Sequence, residues 1–142
     1  MTRDIDIVIE LGEGMTEKFI SLFPDSYYDK ATIKDAIKTE GMFNIIDHQT
    51  GFKIDFIIRK NNEYHNLAFN RRKRIKEFDT WIWVISIEDL IISKINWIQE
   101  YQSDRQIFDI QNLLLNTEKD TEYIKKWCTK LKLNTFNLFD DE

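Results

Sequence analysis

The chain has 142 residues, 42% of them hydrophobic and 13% aromatic, which is enough apolar material to bury a core and lies outside the range of disordered chains. Its 25 acidic against 20 basic side chains give a formal net charge of −5, which argues against broad nonspecific attraction to nucleic acid or anionic membrane. Cys128 is the one cysteine, so an intrachain disulfide framework and a multi-thiolate zinc site are both excluded.

The start of the chain carries no charged-then-apolar leader, and no run approaches the ~18 apolar residues of a membrane span. A soluble, cytoplasmic protein is expected, folded as a single domain over 1–142. Residues 4–9, Asp-Ile-Asp-Ile-Val-Ile, predict a strand with Ile5, Ile7 and Ile9 toward the core. Met15, Phe19, Ile20 and Phe23 then recur at helical spacing up to Pro24. After a brief strand or loop at 25–29, residues 31–40 predict a second helix closed by Gly41 at its C-terminal cap.

Two strand-like runs, 42–47 and 52–58, flank the turn-rich Asp47-His48-Gln49-Thr50-Gly51 and predict a β-hairpin. From Asn61 to about Phe78 a polar helix is expected, carrying the basic run Arg71-Arg72-Lys73-Arg74. A strand over 80–86 follows, and Ser86 is placed to cap a helix whose first turn holds Glu88 and Asp89. Three apolar stripes fill the remainder: Leu90, Ile91, Ile95 and Ile98; Ile107, Ile110, Leu113 and Leu114; Tyr123, Ile124, Trp127 and Leu131. Cys128 reads as a small apolar residue on the third stripe, Ser103 as a helix cap, and Asp140-Asp141-Glu142 as a frayed tail. The fold class is thus α/β (α+β), a mixed sheet with flanking helices over 1–86 and a helical portion over 87–142.

Side chains two apart on a strand share a face, so Asp4 and Asp6 stand ~7 Å apart, near enough to share divalent cations. By itself such a pair is more often explained by a solvated strand face. Asp55 interrupts the polar side of a strand whose other face is Phe52, Ile54, Phe56 and Ile58. If the two strands are neighbours the three acids converge, and hard oxygen ligands suit Mg2+ or Mn2+; otherwise Asp55 is an edge-strand acid that discourages aggregation. The run Arg71 to Arg74 is read either as a contact for nucleotide or nucleic-acid phosphates or as a solvated helix face. Trp81, Trp83, Trp97 and Trp127 are expected in the core rather than on a base-stacking platform, and His48 and His65 on the surface.

The runs Thr2 to Glu10, Gly51 to Phe56 and Ser86 to Lys94 resemble, in order and spacing, bacterial nucleotidyltransferase-fold proteins. The subgroup they look most like includes toxin components of abortive-infection and toxin–antitoxin systems. The resemblance implies that Asp4, Asp6 and Asp55 hold magnesium, that Asp55 accepts a proton from an attacking hydroxyl, and that Lys94 approaches nucleotide phosphates. Its alternative is an amphipathic-helix lysine that snorkels. Arg71 and Arg72 are carried as further nucleotide contacts. The implied reaction moves a nucleoside monophosphate from a nucleoside triphosphate to a hydroxyl on RNA, protein or a small molecule. Such proteins usually carry, ahead of the paired acids, a Gly-Gly or Gly-Ser turn that cradles the triphosphate. The chain starts too late to contain it, so the expectation is a site with metal ligands and without its phosphate cradle. A catalytically inactive relative acting through a partner protein or as a homodimer is the alternative. A restriction-type nuclease is the minor one, because no acid-x-lysine step occurs in the sequence.

Overall fold

The computed structural model describes residues 4–140 and divides into two compact units, up to Asn62 and from Glu63 onward. Thr2 and Arg3, which belong to the motif read at the start of the chain, and Asp141 and Glu142 of the expected frayed tail lie outside the described residues. The fold is mixed, 42% helical and 22% strand, with a four-stranded mixed sheet, a two-stranded sheet and six helices among the described residues. No helix among them is long and apolar enough to cross a membrane.

The first unit holds β1 (Asp4–Ile9), α1 (Thr16–Ile20), β2 (Ser26–Tyr27), α2 (Lys30–Thr39), β3 (Met42–Asp47) and β4 (Lys53–Ile58). The sheet order is β1-β4-β3-β2, with β1 parallel to β4 and the other pairs antiparallel. Alternation along β3 and β4 sends Phe43, Ile45, Phe56 and Ile58 to one face, where they pack with Ile20 of α1 and Ile33 and Ala36 of α2. Aromatic edges lock this core: Phe19 meets Phe56 at 5.1 Å and Phe43 at 5.8 Å, both nearly perpendicular. The expected hairpin at 42–58 forms, and its turn is held by the Asp47 carboxylate, which accepts from the Thr50 backbone N–H and hydroxyl. These bonds to Thr50 hold the Asp47 carboxyl below its ordinary range.

Two expectations are corrected here. Ile5 and Ile7 do not reach the core: they are 51% and 37% exposed, and of the alternate β1 set only Ile9 packs against it. The cause is position, since β1 is the edge of the sheet and the helices cover β3 and β4. The cap of α2 is Glu40 rather than Gly41; Glu40 takes the left-handed conformation at φ 53°, and its carboxylate accepts the Asn61 backbone N–H. That side-chain bond helps hold a conformation that an L residue adopts at some cost.

The second unit holds α3 (Glu63–Asn70), β5 (Lys73–Glu77), β6 (Thr80–Val84), α4 (Ile87–Ile98), α5 (Asp104–Asn116) and α6 (Thr121–Lys130). Ile91, Ile92, Ile95, Ile98, Ile110, Ile124, Trp127 and Cys128 form its core. Burial pushes the Cys128 thiol up to about 11, so it stays neutral as a small hydrophobe. The expected helix over 61–78 is wrong after Asn70. The basic run enters β5, and a two-residue turn at Phe78 and Asp79, both at positive φ (47° and 60°), leads antiparallel into β6. Trp81, Trp83 and Trp97, expected in the core, are 56%, 58% and 48% exposed; Trp127 is buried. A two-stranded hairpin has too little surface around it to enclose large rings.

Ser86 caps α4 and Glu88 and Asp89 occupy its first turn as expected, with Asp89 fully buried there. Four donors converge on its carboxylate: the hydroxyls of Ser86 (2.7 Å), Tyr64 (3.2 Å) and Tyr123 (2.8 Å) and the Arg71 Nε (3.3 Å). Burial first, and then the Asp89 charge, raises the Tyr64 phenol above its ordinary value, so it remains a donor throughout the physiological range.

Two predictions follow from the helical unit. Asp89→Ala leaves two phenols without their acceptor and Arg71 with Glu88 alone, and lowers the unit's stability by about 3 kcal/mol or more, measured by urea unfolding. Replacing Phe78-Asp79 by Asn-Gly relieves left-handed strain at an exposed turn and raises stability by about 1 kcal/mol, read from the thermal midpoint.

Candidate acidic site

The β1–β4 pairing sets Ile5 beside Ile54, Ile7 beside Phe56 and Ile9 beside Ile58. Since neighbouring positions in one register share a face, the same pairing sets Asp4 beside Lys53 and Asp6 beside Asp55 on the opposite face. On β3, Asn44 stands next to Asp55 in that row. The acids are thus brought together by the register that aligns the aliphatic residues behind them. A one-residue slip would send them to opposite faces.

Asp6 and Asp55 form the close pair. Partial burial, then the Asp55 charge and the Asp4 charge, raise the Asp6 carboxyl above its ordinary value; Lys53 opposes the shift. Asp55 is the more enclosed of the two, with its side chain 13% exposed. Its Oδ1 is buried and faces no hydrogen-bond donor. Lys53 links Asp4 to the pair, its Nζ standing 3.8 Å from Asp4 Oδ2 and 3.5 Å from Asp55 Oδ2.

Among the described residues no group of three or more carboxylate, imidazole or thiolate side chains is gathered closely enough to hold a metal ion. The trio therefore shares a face and a register without forming a finished cation cage. A hard divalent cation nonetheless fits the Asp6–Asp55 pair chemically, because it would satisfy the unpartnered Asp55 oxygen and remove the like-charge repulsion. The Lys53 amine, 3.5 Å from Asp55 Oδ2, stands against its binding and has to move.

Arg71, Arg72 and Lys94 belong to the helical unit. Arg71 is engaged by Asp89 and Glu88 and lies 4.0 Å over the Tyr123 ring. Arg72 donates to the Phe69 carbonyl and stacks on the Phe69 and Trp83 rings. Lys94 is a half-buried position of α4.

Lys53 and Asn44 were not singled out in the sequence. Lys53 had a legible signal, its two-residue spacing from Asp55 on one strand; Asn44 had none until the β3–β4 register was known. No protein-family model matches this chain, and no curated protein matches it.

The raised Asp6 carboxyl fixes a pH dependence. A carboxyl whose folded value lies above its unfolded value of 3.8 favours folding most when both states are protonated. Its contribution is lost as pH rises from 3.8 through the folded value. Asp6→Asn is therefore expected to be more stable than the parent at neutral pH, by less than about 1 kcal/mol for a solvent-screened group. The difference should vanish below pH 3.8 in thermal melts; a destabilised variant at neutral pH would contradict it.

Proposed function

We propose that the Asp6–Asp55 pair is the cation-binding and proton-accepting centre of a magnesium- or manganese-dependent nucleotidyltransferase. It would act on a nucleoside triphosphate and a hydroxyl acceptor. One observation carries this reading: two acids are held side by side by an apolar register, and one has a buried oxygen that faces no donor. Placing like charges together raises the free energy of the apo protein, as the elevated Asp6 carboxyl reflects. Such an arrangement is characteristic of sites that gain something by it when loaded.

In this reading Asp6 and Asp55 hold the cation, with Asp4 able to join them once Lys53 moves. A cation held there would neutralise phosphate charge and acidify the attacking hydroxyl. Asp55 accepts the hydroxyl proton as the acceptor oxygen bonds to the α-phosphorus and the bond to the pyrophosphate oxygen breaks, releasing pyrophosphate. Lys53 supplies a positive charge beside the reacting phosphate when its amine leaves the carboxylates. The nucleotidyltransferase-like sequence motifs support the choice of reaction, and the acceptor class includes RNA, protein and small-molecule hydroxyls.

A second reading is a catalytically inactive relative that works through a partner protein or as a homodimer in a toxin–antitoxin-type system. It is favoured by the Lys53 amine lying between Asp4 and Asp55 and by the exposed aliphatic edge of β1, where Ile5, Ile7 and Val8 face solvent.

Manganese titration followed by electron paramagnetic resonance separates the two. Nucleotidyl transfer predicts saturable Mn2+ binding that Asp6→Asn removes. It also predicts a transfer rate that falls at least about a hundredfold in Asp55→Asn, while the melting curve remains cooperative. A folded protein that binds neither Mn2+ nor a nucleoside triphosphate supports the inactive relative.

A further inference from the structure

The β5–β6 hairpin has two unlike faces. In its antiparallel register Arg74 stands opposite Trp83 and Lys76 opposite Trp81, while Ile75 stands opposite Ile82 on the other face. Arg72 lies 4.6 Å from the Trp83 centroid, and Arg74 lies 5.1 Å from that of Trp81 and 5.9 Å from that of Trp83. The result is an interleaved ladder of guanidinium and indole groups. Trp81 and Trp83 are each more than half exposed. Among the described residues, none of Arg72, Arg74 and Lys76 forms an ion pair with an acid. The ladder is thus a concentrated positive patch on a chain whose net charge is −5.

We propose that this ladder is a docking surface for single-stranded nucleic acid. Exposed indole faces stack on bases irrespective of sequence, and cations alternating with them pair with the phosphates between those bases. The spacing argues for an unpaired strand over a duplex. Successive groups on one strand face recur at ~6.6–7 Å, twice the about 3.4 Å rise per nucleotide of a stacked duplex strand, so the bases must be splayed apart to reach successive rings. A purely anionic partner would use the cations and leave the rings without a role. Stacking and phosphate pairing do not read the sugar, so RNA and DNA single strands belong to one class here. The inference does not rest on the transfer chemistry of the acidic site.

The test is fluorescence anisotropy of a short fluorescein-labelled oligouridylate with the full chain at low salt, alongside an abasic strand of the same length. Binding is expected, with log affinity falling against log salt at a slope of about −2 for three phosphates neutralised. The abasic strand should bind roughly tenfold more weakly, and Trp81→Ala and Trp83→Ala should each weaken oligouridylate binding by roughly tenfold. Trp83→Tyr, which keeps a ring, should retain most of it. Arg74→Gln with Lys76→Gln should flatten the salt slope. Melting curves and far-ultraviolet circular dichroism establish that each variant is folded. The proposal is overturned by no binding at low salt, by equal binding of the abasic strand, or by tryptophan variants that are folded and bind like the parent. Concentration-dependent self-association that buries Trp81 and Trp83 would also overturn it, because a second copy would then be the occupant.

Discussion

The register between β1 and β4 governs everything proposed for the first unit. Two parallel strands could pair in several offsets. Here Ile9 packs with the core while Phe56 and Ile58 are buried under α1 and α2, and the offset that places Ile9 beside Ile58 also places Asp6 beside Asp55. The hydrophobic face therefore supplies the free energy that holds two carboxylates together, against their mutual repulsion and partial desolvation. No contact on the acidic face has to favour the arrangement. This is how a strained polar pair persists in a folded domain: the cost is local and the compensation lies on the other side of the same strands.

The helical unit handles buried charge in the opposite way. Asp89 lies within a shell of donors from α3, the segment before β5, the cap of α4 and α6, and the raised Tyr64 and Tyr123 phenols stay protonated as donors. Its carboxylate is satisfied and its geometry is closed, which marks it as an organising centre for the helices. Asp55 is less deeply buried but has an oxygen left over. The two acids thus differ in whether their oxygens are satisfied and not in burial alone.

Features set by short-range signals were legible in the sequence. Alternation marked the strands at 4–9 and 42–58, and Ser86 and Ser103 marked helix starts by the bonds they accept from Asp89 and Gln106. The segment 71–77 misled because Arg, Lys and Glu have good helix propensity and Ile75 is a lone apolar residue, too little to establish a period of two. Its turn also lacks the glycine or asparagine that usually announces a hairpin, since Phe78 and Asp79 occupy the left-handed positions. Trp81 and Trp83 were misplaced because alternation shows which residues share a face and not whether anything covers it. The Asp6–Asp55 pairing was anticipated as an adjacency, whereas the Lys53 amine between Asp4 and Asp55 depends on rotamers that no spacing rule reports. The partners of Asp89 lie up to 34 residues away, beyond the reach of any local pattern.

The edge position of β1 also bears on when the acidic pair exists during the life of the molecule. The β3–β4 hairpin is a local contact, whereas β1 reaches its neighbour only by closing a loop that spans most of the first unit. An edge strand with Ile5, Ile7 and Val8 in solvent has few buried contacts holding it, so its opening is among the cheapest excursions available to this unit. Each such opening separates Asp6 from Asp55 and ends their repulsion, while charging the raised Asp6 carboxyl as pH rises makes the excursion easier. Any ligand that bridges the two acids would act in reverse, as a clasp that slows amide exchange along β1.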